Sequence, residues 1–507
     1  MTPPSRGPAP LDLRLLVPAV AAWALDVALL WAGAAWWVVG SIAGLAAITG
    51  VGLVHRARWR DGRWESLGAL GGLTALALAL VTISLAAHDA VRTAGLLDEW
   101  ADGRATVSIV GVIESDPRRV LVTAGARGDG DQVVVRATVL TASGRGLVSH
   151  VDAPVLVIGD STWLGVAWQE GMRATGRLGP GQPGDDVVAV FRAIGPPEVI
   201  DEAPGVAQAA AYVRARFREA TSGLPADARG LVPALVIGDT SATPIDLTEA
   251  MTVAGMSHLS AVSGSNVAIV LAAALGLCRL GGIPRRVRPV VAGIVLAGFV
   301  VLARPEPSVI RAAVMGAVGL AGLSTSRRRM GMPALSAAVI ALLCWDPWLA
   351  RSYGFALSVL ATLGLLVFAA PWGQRIATLL PPGMRGWGPA LAVPAAAQLM
   401  CAPVVVLLQG TVSLVAVPAN LLADPFVAPA TVAGVATALI AVLWTAPAGW
   451  VAWVAAMPTL AIAWIARVAA VQPWGSVPWP DGPVGALLLA ALGALAVLVG
   501  PWARWVS

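Results

Sequence analysis

The 507-residue sequence contains no lysine, so all 34 of its basic residues are arginine. It has three cysteines, four histidines and two tyrosines, and only 12% of its residues are charged. Each shortage excludes something. Cys278, Cys344 and Cys401 sit in or beside apolar runs without metal-ligand spacing, and none lies in the polar stretch where a disulfide would brace a small domain. His55, His88, His150 and His258 are too dispersed to write an HxH or HExxH site, so no metal site, no cofactor and no metallohydrolase is expected. Without lysine there is no GxxxxGK[ST] loop, and any energy must come from a partner ATPase or helicase, or from the membrane gradient. Soluble domains carry roughly 25% charged residues. Here 57% of the chain is hydrophobic and the mean hydropathy is +0.77, which marks a polytopic membrane protein. The formal charge of +5 is modest, and most arginine clusters flank apolar runs, where they set topology.

Three apolar segments come first, at 14–31, 34–54 and 66–87, each near the ~20 residues that cross a bilayer. They follow one another without a cleavage site, so the N-terminus does not read as a signal peptide. Arg6 and Arg14 precede the first segment, and HRARWRDGRW (55–64) separates the second from the third. Both clusters agree with a cytoplasmic N-terminus and an extracytoplasmic region after residue 88. From about residue 229 the chain is apolar almost to its end. Spans are expected at 258–278, 288–303, 308–325, 333–345, 353–370, 388–409, 426–447, 449–470 and 484–503. Arg285–Arg288, Arg327–Arg329, Arg375–Arg385 and Arg504 would then share the cytoplasmic side, provided 411–447 makes one net crossing. Pro418, Pro425 and Pro429 predict a broken or re-entrant segment there, tolerated at membrane depth where protein or a cavity satisfies the backbone.

Residues 98–200 are different in kind. Short β-rich runs at 105–113, 132–141, 153–160, 170–178 and 187–194, separated by Gly, Asp and Pro turns, suit a small OB-like barrel, with a generic β-sandwich as the alternative. A helical stretch at 204–224 follows, whose Arg214, Arg216 and Arg218 would lie on anionic headgroups or form a solvated face. The expected fold is therefore mainly α, with about 11–12 membrane segments and an inserted extracytoplasmic β domain. Its parts are N-terminal membrane helices (1–90), the OB-like domain (91–203), an amphipathic connecting helix (204–228) and a membrane channel domain (229–507).

Polar residues inside apolar surroundings are expensive and usually face the bundle interior or a cavity. They are Asp239, His258, Ser260, Ser263, Asn266, Arg311, Gln398 and Asn420, with Asp424 nearby. GMSHLSAVSGSN (255–266) is the densest group. It allows three readings: a serine hydrolase, a close-packed helix seam of small residues, or the lining of a polar pathway. On one continuous helix, His258 and Ser263 would be about 140° apart at ~100° per residue, which disfavours a nucleophile–base pair.

The order LVPALVIGDTSATPIDLTEAMTVAGMSHLSAVSGSNVAIV, then PSVIRAAVMGAVGLAGLSTSRRR, DPWLARSYGFALSVLATLGLLV and AAQLMCAPVVVLLQGTVSLVAVPANLLADPFVAP, resembles the competence region of ComEC proteins. These are inner-membrane DNA-uptake channels of naturally transformable bacteria. The β region and the helices before it are similar to that family's N-terminal part. The resemblance implies transport of single-stranded DNA along a path lined by the eight polar residues. Partners would be membrane lipids, a DNA receptor and a cytoplasmic helicase or ATPase. Contacts on the β domain would come from Arg136, Trp163, Arg173, Arg177 and Arg192, with Trp168 and Phe191 as further aromatics. Many relatives carry a C-terminal metallo-β-lactamase-like domain. No HxHxDH motif occurs in this sequence, so a nuclease role is not carried over and would fall to a separate protein. The expected location is the bacterial cytoplasmic membrane, with both termini cytoplasmic; oligomeric state is left open. The alternative is a transporter for a small solute or lipid-linked molecule. The topology predicts that an epitope inserted at residue 145 is reached by antibody in intact spheroplasts, and protection of the tag until lysis would overturn it.

Overall fold

The computed structural model describes residues 14–33, 36–57, 63–120, 132–182, 184–260, 264–304, 307–324 and 331–499. The chain divides into two compact units: Val17–Tyr212 with Ile340–Ala350, and Met1–Leu16 with Val213–Val339 and Arg351–Ser507. The arginines at 58, 60, 327, 328 and 329, and Ser263, lie outside the described residues.

In the first unit the three leading apolar segments form α1 (Leu16–Ala32), α2 (Trp36–Ala57) and α3 (Arg63–Arg92). The indole of Trp23 donates to the Ala350 carbonyl at 2.8 Å, and Ser84 Oγ donates to the Cys344 carbonyl at 2.6 Å. These bonds fasten the 340–350 segment to α1 and α3, using carbonyls that the end of a helix leaves without partners. A short α4 (Leu97–Asp102) leads into the strands β1 (Thr106–Ile113), β2 (Arg118–Val120), β3 (Gln132–Gly144), β4 (Leu147–Gly159), β5 (Gly171–Pro180), β6 (Ala189–Ala193) and β7 (Glu198–Asp201).

The five expected strands are present, and β2 and β7 are short additions on β3 and β5. Pairing runs β1–β3–β4–β6–β5, and β1 also pairs β5; β4 and β6 are parallel and the other pairs antiparallel. The β3–β4 hairpin is longer than its hydrophobic runs suggest. Its turn is Arg145–Gly146, both with positive φ (52° and 79°), the hairpin geometry that matches strand twist. Thr141, His150 and Asp152 take outward positions there while Ala142, Val151 and Ala153 face inward, so polarity at alternate positions hid a continuous strand.

The inward residues form one core with Trp100 of α4, including Ile109, Val135, Trp163, Met172 and Phe191. This corrects the expectation for the aromatics. Trp163 and Phe191 have no exposed surface and cannot offer a ring face to a base; Trp168 is half-buried.

The second unit contains α5 (Gly205–Thr221), which begins in the first, then α6 (Ala226–Ile237), α7 (Ile245–Val253), α8 (Ser257–Ser260), α9 (Gly264–Leu280), α10 (Arg288–Ala303), α11 (Pro307–Ser324) and α12 (Gly331–Trp345), whose end belongs to the first. It continues through α13 (Tyr353–Gly364), a π-helical turn (Leu365–Ala369), α14 (Ala370–Leu379), α15 (Trp387–Gln409), β8 (Thr411–Ser413), α16 (Ala416–Leu443), α17 (Thr445–Ala470), β9 (Ser476–Pro478) and α18 (Gly482–Val499). Among the described residues of the whole chain, six helices are long and apolar enough to cross a membrane, and five shorter apolar helices accompany them. The protein is a multi-pass membrane protein, mainly helical, with a separate sheet.

One expectation is corrected. The 415–429 stretch is not broken: α16 is one 28-residue helix with Pro425 and Pro429 inside it. Both prolines are exposed and one turn apart, so the lost hydrogen bonds fall on one side. Ala419, Ala423, Val427 and Ala430 pack the other side against Ile462, Ala463 and Ala466 of α17, where small residues let the backbones approach. Within the expected 258–278 span the described helices are α8, up to Ser260, and α9, from Gly264. Residues 261–263, Ser263 among them, lie outside the described residues.

Replacing Trp163 with alanine should destabilise the β domain by about 3–5 kcal/mol, as for other buried aromatics. Limited proteolysis of the purified protein would read this as faster cleavage within 105–201.

Candidate functional site

The second unit builds its polar features at helix ends. Gly238 closes α6 in the left-handed conformation (φ 70°), donating its N–H to the Ala234 carbonyl. Asp239 follows directly and is buried. Its carboxylate accepts from Ser241 N at 3.1 Å and Ser241 Oγ at 2.6 Å. It also faces the guanidinium groups of Arg214 at 3.7 Å and Arg218 at 3.6 Å. Arg214 is 5% exposed and donates to the carbonyls of Ile237 at 2.9 Å and Leu302 at 3.1 Å. Burial pushes the Asp239 carboxyl up, but the Ser241 hydrogen bonds and Arg214 outweigh it and hold the group below its ordinary value. Asp239, expected in the pathway, is thus the ionic anchor of the α6–α7 connection. Arg214, expected on headgroups or in water, is the cation that holds it. Arg216 donates to the Ala441 carbonyl of α16 at 3.2 Å.

The α7–α8 turn is clamped to the start of α16. Gly255 has φ 67°, and a Cβ there would sit 2.7 Å from Ala416 Cβ. Asn420 Nδ2 donates to the Gly255 carbonyl at 3.3 Å and to the Ala416 carbonyl at 2.8 Å, while Ser413 Oγ donates to the Val253 carbonyl at 2.8 Å. Met256 and Leu259 fill the core beneath. His258 is exposed, and Ser260 is half-buried with its hydroxyl donating to the Ser257 carbonyl at 2.7 Å. Asn266, in the first turn of α9, is fully buried and donates to the Leu235 carbonyl at 2.8 Å, a group in the last turn of α6. The polar cluster at 255–266 therefore meets Asn420 and the end of α6, bringing together segments far apart in sequence.

Arg311 differs from these. It lies in the second turn of α11, buried, with its guanidinium 6.0 Å from the Phe355 ring centroid of α13. Its Nε and Nη1 have no hydrogen-bond partner among the described residues. Gln398 is half-buried on α15 and Asp424 is exposed on α16. Among the described residues no hydrogen bond or ion pair joins Arg311 or Gln398 to the Asn420–Gly255 cluster.

In the first unit, Arg177 and Arg192 stand directly opposite each other on β5 and β6, both exposed. Like charges in that register repel. Arg177 donates to the Arg104 carbonyl at 3.1 Å, and Arg173, on the same face of β5, pairs Glu198 at 3.2 Å. Arg136, on β3, pairs Asp186. Sequence reading passed over Asp26, although a carboxylate in the run LVPAVAAWALDVALLWA is a visible signal. It is fully buried, and neither carboxyl oxygen has a hydrogen-bond partner among the described residues.

Asp239→Asn should leave the Arg214 guanidinium buried without its counter-charge and cost about 3–5 kcal/mol. Thermal unfolding in detergent would show a clear fall in midpoint, and an unchanged midpoint would contradict the anchor role.

A competence protein family model matches residues 235–504. ComE operon protein 3 of Bacillus subtilis (strain 168) is 32% identical over 216 residues, 42% of this chain and 27% of the relative. Uncharacterized protein YcaI of Escherichia coli (strain K12) is 29% identical over 214 residues, 41% of this chain and 28% of the relative. The chain thus covers less than a third of the length of either curated relative. No solved structure matches. The matched region runs from the last turn of α6 through the α8–α9 cluster and beyond the last described helix, more than half of the sequence, and the chain belongs to the competence protein family, the ComEC family its motifs resemble.

Proposed function

We propose that this protein carries single-stranded DNA across the cytoplasmic membrane during natural transformation. Family membership supports a role in DNA uptake, and the observation that carries the reading is Arg311. A buried guanidinium with its Nε and Nη1 unpartnered among the described residues is costly, and a phosphodiester supplies the oxygens that its planar fork fits. The Asn420–Gly255 and Asn266–Leu235 contacts frame the α8–α9 junction, where exposed His258 and half-buried Ser260 offer further polar groups along the path. The transport reading assigns no catalytic residue.

The β domain receives the strand on the outer side in this reading. Its pairing path β1–β3–β4–β6–β5 returns to β1 with a parallel β4–β6 pair, which supports an OB-like barrel. Contact with DNA falls to the phosphates through Arg173, Arg177 and Arg192 rather than to stacked bases through Trp163. With both termini in the cytoplasm, a helicase or ATPase draws the strand inward, a receptor supplies it, and a separate nuclease removes its complement.

Deleting the gene should abolish transformation by purified DNA, and Arg311→Ala at normal membrane abundance should lower it by about tenfold or more, the equivalent of one charge-assisted contact of ~1.4 kcal/mol. Full transformation in the deletion strain would remove the DNA reading in favour of a small-solute or lipid-linked substrate. Full transformation in Arg311→Ala alone would assign that residue to packing.

A further inference from the structure

The first unit holds a cavity of about 310 Å³ where α1, α3 and the β5–β6 connection meet. Its polar lining comes from Asp89 and Arg92 of α3, Thr93 just after it, Asp98 of α4, and Gln182 and Asp185 of the connection. Leu29 and Leu30 of α1 form part of its wall. Arg92 is fixed there, donating to the Asp185 carbonyl at 3.3 Å with its guanidinium 3.6 Å from the Trp348 ring centroid. The carboxyl of Asp98 is pushed up from its ordinary value by burial and by the neighbouring Asp102 and Asp89.

Asp26 lies on the same face of α1 as Leu29 and Leu30, three and four residues earlier. That is one helical turn, about 5 Å along the axis. It has no exposed surface, and both carboxyl oxygens lack a hydrogen-bond partner among the described residues. The thiol of Cys344 on α12 is within its electrostatic reach. The other titratable groups of the elements around it, His88, Asp89 and Arg92 on α3 and Asp346 after α12, belong to the cavity end. Arg92 faces Asp185, and His88 bonds to the Ser84 carbonyl at 2.9 Å and packs edge-on against Trp348. No cation among the described residues pairs with Asp26. Charging a carboxyl in such surroundings without a partner costs several kcal/mol, whereas the neutral acid gives up only hydrogen bonds to water, a smaller cost.

We propose that Asp26 is a proton-binding site in the first membrane helix, exchanging its proton with water through the acidic cavity one turn away. A proton moves from a hydronium ion in the cavity to the Asp26 carboxylate, and leaves by the same route. Asp26 is thereby an acceptor through which a transmembrane proton gradient acts on this unit, independent of what the other unit transports.

Dicyclohexylcarbodiimide, which adds to protonated carboxyls in apolar surroundings, tests this on the full chain in proteoliposomes. The pH is set separately on the two sides, and the adduct is mapped by mass spectrometry. Asp26 should be modified at low pH, and the adduct should disappear as pH rises on the side that carries the β domain, located by protease digestion. Asp26→Asn should remove the adduct and Asp26→Glu should retain it. An adduct that ignores pH on both sides, that follows the opposite side, or that never forms at residue 26 while Asp26→Asn folds normally would overturn the proposal.

Discussion

The contact on which the second unit depends is the one Arg214 makes. One guanidinium meets the Asp239 carboxylate and donates to the last carbonyl of α6 and to a carbonyl in the last turn of α10. Helix ends leave carbonyls without intrahelical partners, and in an apolar environment each must find a donor. Arg214 supplies donors to two helix ends at once, and Asp239 supplies the countercharge that makes a buried cation tolerable. The position of α6 then sets the Leu235 carbonyl that Asn266 holds, and so the start of α9.

The other polar groups of this region act in the same way. Asn420 and Ser413 take backbone carbonyls of the α7–α8 turn. Arg467 closes the opposite ends of the same helices, with bonds of 3.1 and 2.8 Å to Asp227 in the first turn of α6 and of 2.6 Å to Asp246 in the first turn of α7. Against that background, Arg311 and Asp26 are exceptions of opposite sign. Each is buried in an apolar helix; both Asp26 carboxyl oxygens and Arg311 Nε and Nη1 find no hydrogen-bond partner among the described residues, whereas Asn420, whose Oδ1 also lacks one, is held through its Nδ2. In the proposed readings these two groups take external partners: a phosphate oxygen for the cation and a proton for the acid.

Much of this was legible residue by residue. The apolar runs announced the helices because ~20 such residues have few other stable uses, and period-two patterns announced the five principal strands. The Asn420 region stood out in the sequence, but its prolines were read as a break that α16 does not have. A proline lost from the hydrogen-bond ladder matters less when the opposite helix face is packed by alanines against α17, and that packing is invisible in a linear pattern. Trp163 failed for a related reason: an aromatic in a basic neighbourhood looks like a stacking platform until the strand alternation is seen to point it inward. Arg214 looked like a surface charge because its carboxylate partner lies beyond an intervening helix.

Composition and periodicity by themselves determined the membrane class, the segregation of one β region and the order of most helices, since these follow from local hydrophobicity, while the resemblance to the family rested on short ordered motifs. Only the tertiary structure decided which polar residues are fasteners and which are available. A polar side chain in an apolar run must be satisfied somewhere, but whether its partner is a carbonyl two helices away or something from outside is a property of packing. Asp239, Asn266 and Asn420 found partners within the fold, while no described residue hydrogen-bonds Arg311 Nε or Nη1 or the Asp26 carboxyl.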